Sequence, residues 1–160
     1  MDAGFLNYEW IGDPKLEAEC IRDACKPIRK QLTDEIQAFV TLAEECGSRN
    51  ADWYYTSLSR TANEALMHKR PTNSIDRNFL PADDLRRLAF IELSMANAIR
   101  KGVALCRRFD GDYHIVFEMA KYVAYAAADA DPALIPRSRH TAKRRQKAQT
   151  KESRPVKAAS

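Results

Sequence analysis

The feature that most constrains the fold is the stretch from Pro81 to Phe109, whose apolar residues recur with the period of an α-helix. At 100° per residue, these apolar side chains fall on one side, and arginine and lysine collect on the other. Pro81 suits the first turn, where a missing N–H costs nothing, and an Asp-Gly-Asp turn ends the pattern. The predicted inward set is Leu85, Leu88, Ala89, Met95, Ala96, Ile99, Val103 and Cys106.

Weaker helical patterns flank this central helix. One begins at Asp13-Pro14, an N-cap followed by a first helical position, and Pro27 either kinks it or starts a second helix that runs to Cys46. Another covers residues 50–68, and the last covers residues 113–128. The inward set predicted for the last helix is Val116, Met119, Ala120, Val123 and Ala127.

The composition fits a single folded domain with a disordered extension. The chain has 160 residues, of which 45% are hydrophobic and 30% charged, and β-branched runs are scarce. We therefore predict an all-α, single-domain bundle of about five helices over residues 1–136. Residues 1–12 form an irregular, apolar lead that packs on the body or on a partner, residues 70–80 a polar loop, and residues 137–160 a disordered basic tail.

The cysteines and the ends of the chain indicate a compartment. Cys20, Cys25, Cys46 and Cys106 fall on or beside apolar helix faces and match no zinc spacing, which predicts buried free thiols in a reducing environment. The sequence shows neither a secretory signal nor a transmembrane span. We expect a cytoplasmic protein without a membrane partner, or a nuclear one if the source is a eukaryote.

Charge is distributed unevenly along the chain. Residues 137–160 contain nine Lys or Arg and one acid, Glu152, which gives the tail +8; since the whole chain is +4, the rest is −4. Such a tail predicts contacts with the phosphates of DNA or RNA, although a nuclear-localisation address or a solvated segment has the same composition. The candidate phosphate-binding residues are Arg137, Arg139, Lys143, Arg144, Arg145 and Lys147.

Two further surfaces are candidates for contact with a partner. The polar side of the central helix carries Arg86, Arg100, Lys101 and Arg108, which could meet an external acidic partner or the acidic residues of the first helices. Trp53 lies on the polar side of its helix and would suit an interface anchor, unless the N-terminal lead covers it.

Nothing in the sequence predicts a catalytic, metal or cofactor site. Glu92 falls within the apolar stripe, where a carboxylate needs a hydrogen bond or an ion pair, and a catalytic acid is the rarer outcome. Glu64 with His68, and His114 with Glu118, are spaced like metal ligands, but both pairs face outward without a third ligand. We predict that they are surface pairs.

Two function classes follow from these features. The first is a small, non-enzymatic protein associated with nucleic acid, in which a helical body carries a phosphate-binding C-terminal arm. The alternative is a protein-binding adaptor or inhibitor, of the kind that phages and plasmids encode, which docks through its helical surface. The sequence favours neither DNA nor RNA. The basic run has no interleaved aromatic residues, so it lacks stacking platforms for single strands.

Overall fold

The computed structural model describes residues 13–69 and 76–130. These ranges contain four helices, α1 (Pro14–Glu45), α2 (Ala51–Lys69), α3 (Ala82–Phe109) and α4 (Tyr113–Asp129), and no strand. The all-α prediction is confirmed, whereas the count of five helices is wrong by one. The predicted lead (1–12), the basic tail and residues 70–75 of the polar loop lie outside the described residues.

The count differs because α1 continues through Pro27 as one helix of 32 residues. An interior proline costs a helix about 3 kcal/mol, because it removes an N–H donor and its ring crowds the preceding turn. Packing against α3 holds α1 on both sides of the proline: Glu17 pairs with Arg86, and Arg29 pairs with Glu92. Tertiary contacts therefore offset a local break that sequence periodicity alone left open.

The central helix α3 contacts every other helix of the described fold. All eight residues of its predicted inward set are buried, together with Ile91 and Gly102. Pro81 is the N-cap and not part of the first turn, and its carbonyl accepts the Leu85 N–H at 3.0 Å. At the other end, Asp110 adopts a left-handed conformation (φ 49°), and the Gly111 N–H donates to the Cys106 carbonyl.

The buried face of α4 is rotated from the predicted one. Val116, Ala120 and Ala127 are buried as expected, but Met119 is exposed. Phe117 and Ala124 take its place in the core. The helix is apolar on most of its circumference, so hydrophobicity alone did not define its inner face.

The thiols are free, as predicted, but they are not all buried. Cys106 is buried and Cys25 half-buried, whereas Cys20 and Cys46 are exposed. Cys20 is exposed because the first turns of α1 lie at the edge of the fold, where Ala18 is the one buried residue. Cys46 follows the last turn of the same helix as its C-cap, beyond the core.

Gly102 allows α3 and α4 to approach closely. A Cβ atom at this position would lie 2.8 Å from Cγ1 of Val116 and 3.4 Å from Cε of Met119. Valine is stiff at χ1, so its methyl groups could not move aside without shifting a helix. The contact line between the two helices therefore runs through Gly102 and Val116.

We predict that Gly102→Ala lowers the free energy of unfolding by about 1 kcal/mol, because overpacking against Val116 outweighs the gain in helix propensity. In a Val116→Ala background the obstructing methyl groups are gone, and the same substitution should stabilise by up to about 1 kcal/mol. Urea denaturation of the four proteins tests this change of sign. An equal effect of Gly102→Ala in both backgrounds would contradict the assigned contact.

Candidate functional site

The predicted basic residues of α3 form one exposed stripe, but Arg86 is engaged within the protein. Its Nη2 lies 2.7 Å from Oε1 of Glu17 on α1, and its Nη1 lies 3.0 Å from Oδ1 of Asp83. The Glu17 carboxylate raises the pKa of Arg86 above its usual value. At this end of α3, the stripe faces the acidic residues of the body, which was one of the two alternatives.

The other three residues of the stripe are available to a partner. Arg100 donates to Oδ1 of Asn97 at 2.7 Å, and the guanidinium of Arg108 lies 5.3 Å from the centre of the Phe109 ring. Lys101 is exposed beside them. Within residues 13–69 and 76–130, no carboxylate forms an ion pair with any of these three.

An exposed apolar patch adjoins this basic end of α3. Leu105 and Phe109 lie on a flank of α3 between its basic side and the buried face that carries Ile99 and Cys106. Phe109 is 67% exposed and Leu105 54%. The positions of Lys101 and Arg108 on the helical wheel place them directly beside this flank.

α4 extends the patch with its own outer flank. Ile115, Met119 and Tyr122 recur at i, i+4 and i+7, opposite the buried flank that carries Phe117 and Ala124. Ile115 is 65% exposed and Tyr122 75%.

The two exposed flanks adjoin each other. Gly102 of α3 lies against Val116 and Met119 of α4, and Phe109 and Leu105 lie about 20° and 60° from Gly102 on the helical wheel of α3. We name these five residues the α3–α4 surface: Leu105, Phe109, Ile115, Met119 and Tyr122. Sequence reasoning missed this surface because it assigned Met119 to the core, although the i, i+4, i+7 recurrence on α4 was a usable signal.

The α4 half of this surface has a shallow, open depression of about 420 Å³. It is lined by His114, Ile115, Glu118, Met119 and Tyr122. Its exposed wall is almost entirely apolar, with Glu118 and His114 at one border. An apolar side chain of a partner could therefore lie against it.

Trp53 is exposed, as predicted, but does not belong to this surface. Its ring centre lies 5.1 Å from that of Tyr54 and 5.4 Å from that of Phe117. Phe117 is on the buried flank of α4, so Trp53 packs on the side of α4 opposite Ile115. The N-terminal lead that was the alternative cover for Trp53 lies outside the described residues, as do the six basic residues of the tail candidate.

Glu92 forms the predicted ion pair, and it does so with two arginines. The residue is 1% exposed, and its Oε1 accepts from Nη2 of Arg77 at 2.6 Å and from Nη1 of Arg29 at 3.1 Å. Nη2 of Arg77 also donates to Oδ1 of Asn63 on α2 at 3.1 Å. This cluster links α1, α2 and α3 with the segment that precedes α3.

A cavity of about 680 Å³ opens beside this cluster. Arg22 contributes to its wall, and its guanidinium donates to the carbonyls of Arg77 at 3.2 Å and Asn78 at 2.9 Å. Cys25 lines the cavity too, and burial, with the nearby Glu92 charge, raises the pKa of its thiol. The thiol is therefore protonated at neutral pH and is not an activated nucleophile.

The histidine pairs behave as surface groups. His68 lies edge-on to the Tyr125 ring, with 5.8 Å between ring centres, and His114 lies 2.8 Å from Oδ1 of Asp112. Asp112 caps α4 through the His114 N–H, and this hydrogen bond lowers the pKa of the aspartate. The described residues contain no group of three side chains that could hold a metal ion. None of the four helices is long and apolar enough to cross a bilayer.

Comparisons of the chain with protein-family models, with curated proteins and with solved structures found no match. Only the arrangement of its own residues therefore bears on function. That arrangement offers two regions outside the ordinary core: the α3–α4 surface with its basic border, and the cavity beside Glu92.

We predict that Glu92→Ala lowers the free energy of unfolding by about 3 kcal/mol or more, because it leaves partly buried Arg77 without its carboxylate and creates a void. Glu92→Gln keeps the shape and one acceptor and should cost less. The matched control is Glu45→Ala, which removes another α1–α3 ion pair, the half-exposed Glu45–Arg107 pair at 2.9 Å. That change should cost about 1 kcal/mol at most. If chemical denaturation showed equal losses of unfolding free energy for Glu92→Ala and Glu45→Ala, the buried cluster would stabilise the fold no more than the half-exposed ion pair does.

Proposed function

We propose that this chain is a non-enzymatic protein-binding module, an adaptor or an inhibitor, that docks through the α3–α4 surface. The observation that carries the proposal is the patch itself: five large apolar side chains on two packed helices face solvent, and Lys101 and Arg108 border them. Contiguous apolar patches with a polar rim are typical of sites for protein partners. Two of the five residues are aromatic, and arginine lies beside them, which is the composition of interface hot spots.

The shape of the surface favours a helix as the partner element. Two packed antiparallel helices leave a groove between them, and an amphipathic helix can lay its apolar side chains into such a groove. The shallow depression beside Ile115 and Met119 offers apolar contact to an anchoring side chain. We therefore propose a partner helix with apolar anchors along one face.

The positive charge beside the α3–α4 surface indicates which kind of partner helix would bind. Lys101 and Arg108 line the α3 border of the surface, and no described carboxylate pairs with either of them. Acidic residues beside the anchors of the partner helix would meet these cations, speed association and fix the orientation of docking. The proposed partner segment is accordingly amphipathic and acidic, and a second copy of this chain is the competing occupant.

We expect Ile115→Asp with Tyr122→Asp to abolish partner binding while the helical circular dichroism and the melting temperature stay close to those of the parent protein. Both residues are more than half exposed, so the substitutions remove anchoring area and not core. The experiment places a photo-crosslinking amino acid at position 119, irradiates in cells of the source organism, and identifies the crosslinked protein and segment. The matched control is Leu16→Asp, which changes an exposed leucine of α1 outside the surface.

The crosslinking experiment has three outcomes, and each one supports or contradicts the docking proposal. A crosslink to an acidic amphipathic segment that the Asp pair removes and Leu16→Asp keeps supports the proposal. Crosslinks between copies of the chain, with a concentration-dependent dimer in sedimentation that the Asp pair abolishes, would instead make the surface a homodimer interface. Failure to capture either would contradict a docking role.

A second proposed function is association with nucleic acid, and the charge of the C-terminal tail supports it. The +8 charge of residues 137–160 contrasts with the −4 of the remaining chain, as nine Lys or Arg against one acid in the tail show. Cationic side chains that meet phosphates release counterions, and this drives attachment without regard to sequence. In this proposal the tail attaches the module to DNA or RNA, where the α3–α4 surface meets its partner.

We expect the intact chain to bind duplex and single-stranded nucleic acid with a strong dependence on salt. Replacing the six candidate tail residues by Gln should flatten the slope of log affinity against log salt by about 0.7–0.9 for each phosphate that the tail no longer neutralises. Fluorescence anisotropy on DNA and RNA between low and moderate salt measures the slope. The control is the double variant Lys101→Ala with Arg108→Ala, which removes two exposed cations from α3 and leaves the tail intact. Weak binding at low salt that the tail variant leaves unchanged would exclude the tail as the attachment site.

A further inference from the structure

We propose that the cavity beside Glu92 binds a small phosphomonoester, that is, an organic molecule with a dianionic phosphate and at least one hydroxyl or N–H donor. The site lies between α1, the N-terminal half of α3 and residues 76–78. It is distinct from the α3–α4 surface and goes beyond the proposed docking function. Three properties of its wall carry the inference: its charge, a buried acceptor and an apolar floor.

The first property is an excess of positive charge. Four cationic side chains, those of Arg22, Lys26, Arg29 and Arg77, line the cavity against the carboxylates of Asp76 and Glu92. The lining residues therefore carry a net charge of +2, and Asp23, the ion-pair partner of Lys26, lies outside the lining. A phosphomonoester carries about −1.5 to −2 at neutral pH and so matches this excess. Three of the four cations are guanidinium groups, whose planar forks suit phosphate oxygens.

The second property is the incomplete hydrogen bonding of Glu92. Its Oε1 accepts from both arginines, but its Oε2 is buried and has no hydrogen-bond partner among the described residues. A buried carboxylate oxygen without a donor is costly. Once the carboxylate turns this oxygen toward the cavity, a hydroxyl or N–H group of a ligand would satisfy it, while the phosphate of the same ligand meets Arg22 and Lys26. Repulsion between phosphate and Glu92 stays limited, because Arg29 and Arg77 offset the carboxylate.

The third property is the floor and the size of the cavity. Leu85, Leu88 and Ala89 of α3 line it, and all three are buried side chains of the core. They are 3%, 1% and 7% exposed, so they offer a small apolar area that an organic body can cover and from which inorganic phosphate gains nothing. A volume of about 680 Å³ falls within the range of sites for small organic ligands.

The test is a nuclear magnetic resonance titration of the full chain at constant ionic strength. The probes are AMP and glucose 6-phosphate, with adenosine, glucose and inorganic phosphate as partial ligands. We expect at least one phosphomonoester to saturate below about 10 mM and to shift amide signals of residues 22–29, 76–78 and 85–92. Adenosine and glucose lack the phosphate, and inorganic phosphate lacks the body, so all three should bind at least about threefold more weakly.

A matched pair of lysines separates the cavity from charge in general. Lys26 lines the cavity, whereas Lys30 lies one turn further along α1 outside it. The two are alike otherwise: their side chains are 72% and 77% exposed, and each pairs with one aspartate of its own helix at 2.7 Å. Lys26→Gln should weaken the phosphomonoester about threefold to fivefold, and Lys30→Gln should leave its affinity unchanged.

Each other outcome overturns the proposal. Absence of saturable shifts with both phosphomonoesters excludes the site. Equal losses in Lys26→Gln and Lys30→Gln, or shifts confined to residues 137–160, show non-specific attraction by basic residues. Equal affinity for inorganic phosphate and the phosphomonoesters would exclude a role for the floor. None of these results affects the docking proposal, because no residue of the α3–α4 surface lines this cavity.

Discussion

The structure depends on the packing of α3 against all of its neighbours. Its buried residues span slightly less than half of its circumference, about 160° at 100° per residue, and α1, α2 and α4 each contact it. The remaining side of the helix faces solvent. That side carries the basic stripe from Arg86 to Arg108, with the exposed apolar flank of Leu105 and Phe109 beside it. The packing therefore decides which residues a partner can reach.

The Glu92 cluster shows what such packing requires of a charged residue. A buried carboxylate is tolerated when its charge is offset by partners, here Arg29 and Arg77. Replacing a buried ion pair by apolar residues is often neutral or stabilising, so stability alone gives little reason for this arrangement. The cluster also lines a cavity of about 680 Å³, with an excess of cations and a buried carboxylate oxygen that has no hydrogen-bond partner among the described residues. The proposed binding role would account for both features.

The sequence was informative where polar and apolar residues separate cleanly. α3 has such a separation, and its inward set was predicted without error. α4 does not, because Ile115, Met119 and Tyr122 add a second apolar strip opposite the buried one. The predicted inner face was therefore rotated, and the exposed surface was missed. The partners of Glu92 could not be predicted either, since Arg29 and Arg77 lie 63 and 15 residues away and meet it only through the fold.

The two proposed sites occupy different ends of the same helix, and this separation makes them independent. Glu92 and Leu105 are thirteen residues apart on α3, or about 20 Å along its axis at 1.5 Å per residue. Exposed charges at that distance are screened by physiological salt. A phosphomonoester in the cavity could influence the α3–α4 surface only through the helix itself or through a shift of α1 against it. Coupling between the sites would therefore appear as a change in partner affinity on addition of the phosphomonoester. Because linkage is reciprocal, the partner would change the affinity of the phosphomonoester by the same factor.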